Sequence, residues 1–560
     1  MTRRVQLGIL LAVASFVYAN SLFNSFTMDD ELYIFANPQV TQPSLKQLFQ
    51  PNKVSAVFRP VTFATFAVNY KLNGDRPFGY HLLNLLLHAG VTMLLFLVLR
   101  EILANEPRGD IIAFVAALLF AVHPLHTEAV ASIVGRSELL AAGFLLAAWL
   151  FHLPGRTILT LACFAFAVLS KESAIVLLPL AVAGDYARGK LLHWARYAPI
   201  AAATFLYAFV LWKVHGNRFG LQEVSLLDNP LSHLPVSWRI ANAIRIAWKY
   251  VALQLFPAKL SCDYSFSAIQ LYANLRHTLP AIVAAAGALA GWGWTIWKKK
   301  PGFMIAGTIY FTGFAITANI LITTGTIMAE RLAYLPSAGF CLLIALLWKR
   351  LEVRRRSAAI VFLVLLVAVF AVRTLARNRD WRDNLTLYQS AVRTVPGSAK
   401  MHSNVGREYL KRGQLDQARA ELQNALAIYP EYPDALQYLA LVESWTGHDL
   451  EAIRLMESAV RMSDRKNLSY DFMVVNFAAM LMQAGRSSDA LDILNREIAE
   501  APQYSRAWSN RAVIYFQRGD TAAARNDAES SLRMDPTNSQ ARSVLNKISP
   551  ALQSIPSPRN

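Results

Sequence analysis

Three carboxylates follow directly on a hydrophobic stretch, in Phe26-Thr27-Met28-Asp29-Asp30-Glu31. Like charges this close repel, and one of them takes a raised pKa. Such a group suits a general base near neutral pH. A solvated cluster at a helix start is the competing reading. Two further polar runs, His123-Pro124-Leu125-His126-Thr127-Glu128 and Gly135-Arg136-Ser137-Glu138, fall between apolar segments. Ionisable groups at the ends of membrane spans are expensive to bury and often functional. Zinc is one reading of His123, His126 and Glu128, but no third histidine or cysteine has a matching spacing. A hydrogen-bonded polar cluster beside an acidic pocket fits these residues better. Lys171-Glu172-Ser173 interrupts two more apolar runs, and Glu330-Arg331 precedes Tyr334 and Pro336. An arginine there suits an anionic phosphate arriving within the bilayer. Its alternative is a salt bridge with Glu330.

The elements that must hold these groups are membrane helices. Hydrophobic residues make up 54% of the chain and crowd its first two thirds. A bilayer-crossing helix needs about 20 mostly apolar residues. Candidate runs lie near 6–23, 81–100, 110–124, 137–153, 157–170, 172–185, 196–213, 277–297, 303–324, 335–349 and 357–376. A signal peptide is the alternative for the first, but further spans follow it. The net charge of +18 is concentrated partly in short clusters beside these runs, such as Lys298 to Lys300 and Arg354 to Arg356. That is the footprint of positive-inside anchoring and not of nucleic-acid binding. The segment 238–256 carries Arg239, Arg245 and Lys249. If it spanned, both basic clusters would fall outside, so it is expected to lie in the interface, leaving about eleven spans. The last span then runs outward, and everything after it shares a face with the loop 24–80. That loop also holds Phe58-Arg59-Pro60 and an aromatic segment, 61–70, that suits a helix lying on the membrane. The three cysteines form no disulfide framework or metal pair.

From Ala399 the text repeats with a period of 34 residues, the tetratricopeptide spacing. Gly406, Ala418, Ala425 and Pro430 mark the first repeat, and Ala440, Ala452 and Ala459 the second. An insertion around Arg465 to Ser469 precedes the third, with Ala478, Ala490 and Pro502. Ala512, Ala524 and Pro536 mark the fourth. Small residues let paired helices touch, and neighbouring pairs stack into a solenoid with a groove for extended polypeptide. The fold class expected is therefore all-α. It comprises a membrane body over 1–376 with its outer loop 24–80, a linker helix 377–398, about four repeats over 399–545 and a flexible tail 546–560.

The ordered series MDDELYIFANP, FRPVTFATFAVNYKLNG, HPLHTEAVASIVGRSELLA, SKESAI, LFPAKLSCDYS, AERLAYLPSAGF and RDWRDNLTLY resembles the transmembrane and tetratricopeptide repeat-containing family of O-mannosyltransferases. The resemblance covers nearly the whole chain, although family members often carry longer repeat arrays. It implies the GT-C membrane fold and inverting transfer of a sugar, expected to be mannose, from a polyprenyl- or dolichyl-phosphate donor. The acceptor would be a Ser or Thr hydroxyl on a polypeptide bound by the repeats. Under the resemblance Asp29 or Asp30 is the base. Arg331 binds the donor phosphate, with Arg136 and Lys171 behind it. Glu128, His123, His126, Arg59 and Glu330 shape the pocket. No cofactor is required, since a lipid phosphate leaves with little protonation; a divalent metal is compatible but not demanded. The competing readings are a GT-C enzyme acting on a glycolipid or polysaccharide, and a membrane scaffold that gathers partners through its repeats. The Ala-rich spans and short loops lean toward a bacterial inner membrane with periplasmic repeats. An endoplasmic reticulum membrane with lumenal repeats satisfies the same topology.

Overall fold

A computed structural model describes residues 1–51, 57–216, 224–465, 467 and 469–548. The expected tail 546–560 thus falls outside the described residues from 549 onward, as do positions 52–56 of the first loop and parts of the insertion near 465–469. Among the described residues the fold is all-α, and no strand forms. The chain divides into two compact units, Met1–Ser398 and Ala399–Asn560.

In the first unit, six helices are long and apolar enough to cross a membrane: Arg3–Phe23, Phe78–Ile102, Trp194–Val214, Leu275–Trp297, Glu330–Arg354 and Arg356–Asp380. A seventh crossing is made if Gly109–Val122 and Pro124–Ala131, bent by 53° against each other, count as one. The break has a local cause. Pro124 has no N–H to continue the helix and holds His123 in an extended conformation. The remaining runs form shorter helices, Arg136–His152, Thr157–Ser170, Leu177–Ala187 and Pro301–Ala315. The last of these stops short of the apolar run's end. Asn319 turns left-handed (φ 59°), and its amide binds Thr324, Thr326, Ile327 and Asn229 in irregular backbone. Residues Val236–Leu255 form an unbroken helix that carries Arg239, Arg245 and Lys249 and is not among these apolar helices.

One apolar core joins the helices of this unit, from Leu10 and Tyr18 through Leu95, Phe120 and Trp149 to Leu342 and Phe370. A smaller core within the first long loop and its neighbours contains Ile34, Val40, Phe63, Phe66, Tyr80 and Ile133. It anchors the short helix Asp30–Ile34 against Pro60–Asn73, whose start uses Pro60.

The second unit is a run of helix pairs: Ala399–Lys411 with Leu415–Ile428, Pro433–Trp445 with Asp449–Met462, Tyr470–Gln483 with Ser487–Glu500, and Ser505–Gln517 with Thr521–Met534. A single helix, Ser539–Ile548, follows. The first helix of each pair gives way to a glycine at positive φ: Gly413, Gly447, Gly485 and Gly519. A left-handed residue after the helix end returns the chain tightly, and only glycine does so without strain. Ala418, Ala452, Ala490 and Ala524 are fully buried, as the small-residue positions require. A Cβ added to Gly406 would lie 2.6 Å from Leu422 Cγ, so the first pair packs with no room for a methyl group.

Candidate active site

The carboxylates at 29 and 30 part company. Met28 is held left-handed (φ 53°), and its N–H donates to Asn384 Oδ1 at 2.8 Å. Ser25 N donates to the Arg382 carbonyl at 2.9 Å, and Asn24 Nδ2 to that of Asn378 at 3.1 Å. The end of the last apolar helix therefore clamps the start of the first loop, so the first and last helices finish on one side. The turn aims Asp30 inward. Its Oδ2 accepts from Thr27 N (2.8 Å), its Oδ1 from Val134 N (3.0 Å), and it is fully buried. Burial pushes its carboxyl up to about 7, against the pull of those N–H groups and with a push from Asp29. Asp29 points out, and its carboxylate makes no side-chain hydrogen bond or ion pair among the described residues. Asp30 thus ties the loop to the 132–134 turn, while the side chain of Asp29 is exposed.

Three ion pairs lie within electrostatic reach of one another, each joining separate segments, and Asp29 lies within reach of one of them, that of Arg331. Arg331 pairs with Glu128 through its side chain, and its backbone N donates to Glu128 Oε2 at 2.9 Å. Lys171 pairs with Glu138. Arg59 binds Glu172 with two parallel bonds, at 2.8 and 3.1 Å. Asp29 and Glu138 both lie within electrostatic reach of Arg331, and Arg331 and Arg59 within reach of Lys171. Arg331 keeps 36% of its side chain exposed while Glu128 keeps 2%. Glu128 is thus a buried arm that aims a half-open guanidinium.

The other candidates sit elsewhere. Glu330 is not the partner of Arg331. It turns inward, wholly buried, and accepts from Ser261 N (2.6 Å) and Tyr264 Oη (2.7 Å). Arg136 is fully buried, donating to Asn84 Oδ1 (2.9 Å) and to the carbonyls of Tyr80 (3.1 Å) and Thr65 (3.3 Å), with its plane over the Phe66 ring. These bonds make it a brace for the loop and leave it remote from any open surface. His123 accepts from Leu125 N at Nδ1 and therefore donates from Nε2 to the Gln254 carbonyl. His126 meets Ser337 Oγ at 2.6 Å. Both rings are fully buried among Phe120, Tyr334 and Phe370, as packed hydrogen-bonded groups. Among the described residues no group of three or more His, Cys, Asp and Glu side chains is placed to hold a metal ion.

Three contributors had no sequence signal of their own: Glu138 and Glu172 as counterions, and Asn384 as the clamp on Met28. All three stand inside stretches that were already conspicuous, but their partners are distant in the chain. Chemically, the assembly offers an exposed carboxylate able to take a proton, beside cations able to receive developing negative charge.

A family model described as Tetratricopeptide repeat matches residues 371–433, 404–464 and 478–539. A protein O-mannosyl-transferase of Caenorhabditis elegans is 32% identical, over 76% of this chain and 63% of its own length. The protein O-mannosyl-transferase TMTC3 of Mus musculus is 29% identical over 76% of this chain and 51% of its own. Tmtc3 of Drosophila melanogaster, another protein O-mannosyl-transferase by name, is 27% identical over 83% and 60%. The chain is a homologue of these transferases. It spans between about half and just under two thirds of the length of the curated relatives it matches. It is a multi-pass membrane protein with a tetratricopeptide-repeat unit.

Proposed function

We propose that this chain is an inverting membrane O-glycosyltransferase. It moves mannose from a polyprenyl- or dolichyl-phosphate donor to Ser or Thr hydroxyls of polypeptides that its repeats bind. The observation that carries the reading is Asp29, an exposed and unpaired carboxylate within the field of the half-open Arg331. The likeness to the named protein O-mannosyl-transferases supports the sugar and the acceptor class. In the proposed step Asp29 takes the hydroxyl proton and the hydroxyl oxygen bonds to the sugar C1. The C1–O bond to the lipid phosphate breaks from the opposite face, and its electron pair stays on the phosphate. Arg331, with Lys171 behind it, balances that charge, and Glu128 holds Arg331 in place. The topology that goes with this reading has about eleven crossings with Val236–Leu255 in the interface, and Asp29 and the repeats on the outward side. That side is the periplasm for a bacterial inner membrane, or the lumen for an endoplasmic reticulum membrane.

The test uses the full chain in lipid nanodiscs, with polyprenyl-phosphate mannose and a Ser/Thr-rich peptide. Asp29→Asn should cost at least about a hundredfold in transfer, the scale of a lost general base, with an unchanged melting temperature. Full transfer by Asp29→Asn would end the proposal.

A further inference from the structure

Four arginines crowd the end of the helix Arg356–Asp380 and the turn after it, and two of them are spare. Arg373 donates to the carbonyls of Pro257 and Ala258, both at 3.0 Å. Arg377 is buried and donates to Asp380 Oδ2 at 2.9 Å. Arg379 and Arg382 are exposed and make no side-chain hydrogen bond or ion pair among the described residues. Both line a cavity of about 520 Å³ together with Asn20, Phe23, Asn24 and Thr386. In the topology proposed above these cations face outward, against the positive-inside bias, and an unpaired pair there calls for a partner.

The walls of the cavity are fixed. Asn20 Nδ2 donates to the Leu375 carbonyl (2.9 Å), and Asn378 Nδ2 donates to Asn20 Oδ1 (2.7 Å). Asn24 is bound to the same turn, and only 4% of it is exposed. Of the acids beside these arginines in the chain, Asp380 is paired with Arg377, and Asp383 caps the helix Asn384–Thr394, bound by Thr386 N at 2.9 Å. Phe23, 82% exposed, lines the cavity, and on the helix that carries Arg379 the apolar side chains Leu365, Val369 and Val372 are exposed as well. A ligand seated here meets two guanidinium groups at its head and hydrocarbon-facing surface along its tail.

We infer that this cavity seats the phosphate headgroup of a membrane lipid, at a site separate from the Arg331 centre. The chemistry is shared by two sources, an anionic phospholipid and a polyprenyl phosphate, and the experiment separates them. The site does not depend on the transfer reaction proposed above, so either can fail alone.

The full chain is reconstituted in phosphatidylcholine nanodiscs containing phosphatidylglycerol or undecaprenyl phosphate. Lipid retained after gentle detergent extraction is counted by native mass spectrometry, for the wild type, Arg379→Gln/Arg382→Gln, Arg379→Lys/Arg382→Lys and Arg331→Gln. Either anionic lipid should be retained by the wild type in preference to phosphatidylcholine. The glutamine pair should weaken retention by roughly tenfold, the scale of losing charge-assisted hydrogen bonds, and the lysine pair should restore part of it. Retention of phosphatidylglycerol assigns a bulk anionic lipid, and of undecaprenyl phosphate alone a carrier lipid; both support the site. Equal retention by the glutamine pair overturns it, as does retention that falls only with Arg331→Gln.

Discussion

If Glu128 acts only by aiming Arg331, its removal and that of Arg331 must not add. Glu128→Gln keeps the shape of the side chain but removes its charge and sets an amide NH2 where one acceptor stood. Two donors of Arg331, its backbone N at 2.9 Å and its guanidinium, meet that carboxylate in the wild type. A hydrogen bond to a charged group contributes about 1.5–3 kcal/mol. Arg331 is 36% exposed, so water screens part of this and the low end applies, about 1.5 kcal/mol. In transfer assays that is about a tenfold fall in kcat/KM. Arg331→Ala removes the cation itself and should cost about 3 kcal/mol, on the order of a hundredfold or more. The double variant should then match Arg331→Ala alone, giving a coupling energy of about the whole Glu128 effect. Melting temperatures of all four proteins keep folding defects apart from catalytic ones. Additive losses in the double variant, or a Glu128→Gln enzyme with wild-type kcat/KM, would refute the positioning role.

Three more outcomes are expected. Arg136→Met leaves Asn84 Oδ1 and the carbonyls of Tyr80 and Thr65 without their donors, so it should lower stability by about 3 kcal/mol in a thermal melt, where a shift under one degree would contradict the bracing role. Asp30 holds its proton in the folded state up to about pH 7 but sheds it near 3.8 when unfolded. Between those values the folded chain binds more protons, so stability is highest at the acid end of that window and declines as pH rises through 7; Asp30→Asn should show a flatter melting profile from pH 5 to 8, and parallel profiles would sink the argument. Gly485→Ala forces a side chain into the left-handed region (φ 77°), which should cost about 1 kcal/mol in the repeat unit's melt within the full chain, with no change at all counting against the turn assignment.

Residue type and local spacing were enough to reveal the helical class, the repeats and the conspicuous charges. The four turn glycines and the buried alanines obey short-range rules that a reader of the text can apply. Partner choice was not legible, because it is settled by packing between distant segments. Glu128 and Arg331 are 203 positions apart, and Arg59 and Glu172 are 113 apart. Adjacency in the chain is a poor guide for the same reason. Glu330 stands next to Arg331 in the chain, yet the turn sends it to Ser261 and Tyr264. Asp29 and Asp30 look interchangeable as letters, and only the left-handed Met28 and the N–H of Val134 tell them apart. The histidines, read from the sequence as a hydrogen-bonded polar cluster ahead of zinc ligands, are buried and hydrogen-bonded among aromatic rings.

The clamp on Met28 also has a consequence in time. A ribosome delivers residues 24–28 to the membrane long before it makes Asn378, Arg382 and Asn384, which those residues need as partners. During synthesis the Asp29 loop therefore waits, without its final turn, until the last apolar helix has been threaded. Nascent or prematurely released chains lacking that helix would leave the Asp29 loop unclamped, and the transfer proposed above would have to wait until the membrane unit is whole.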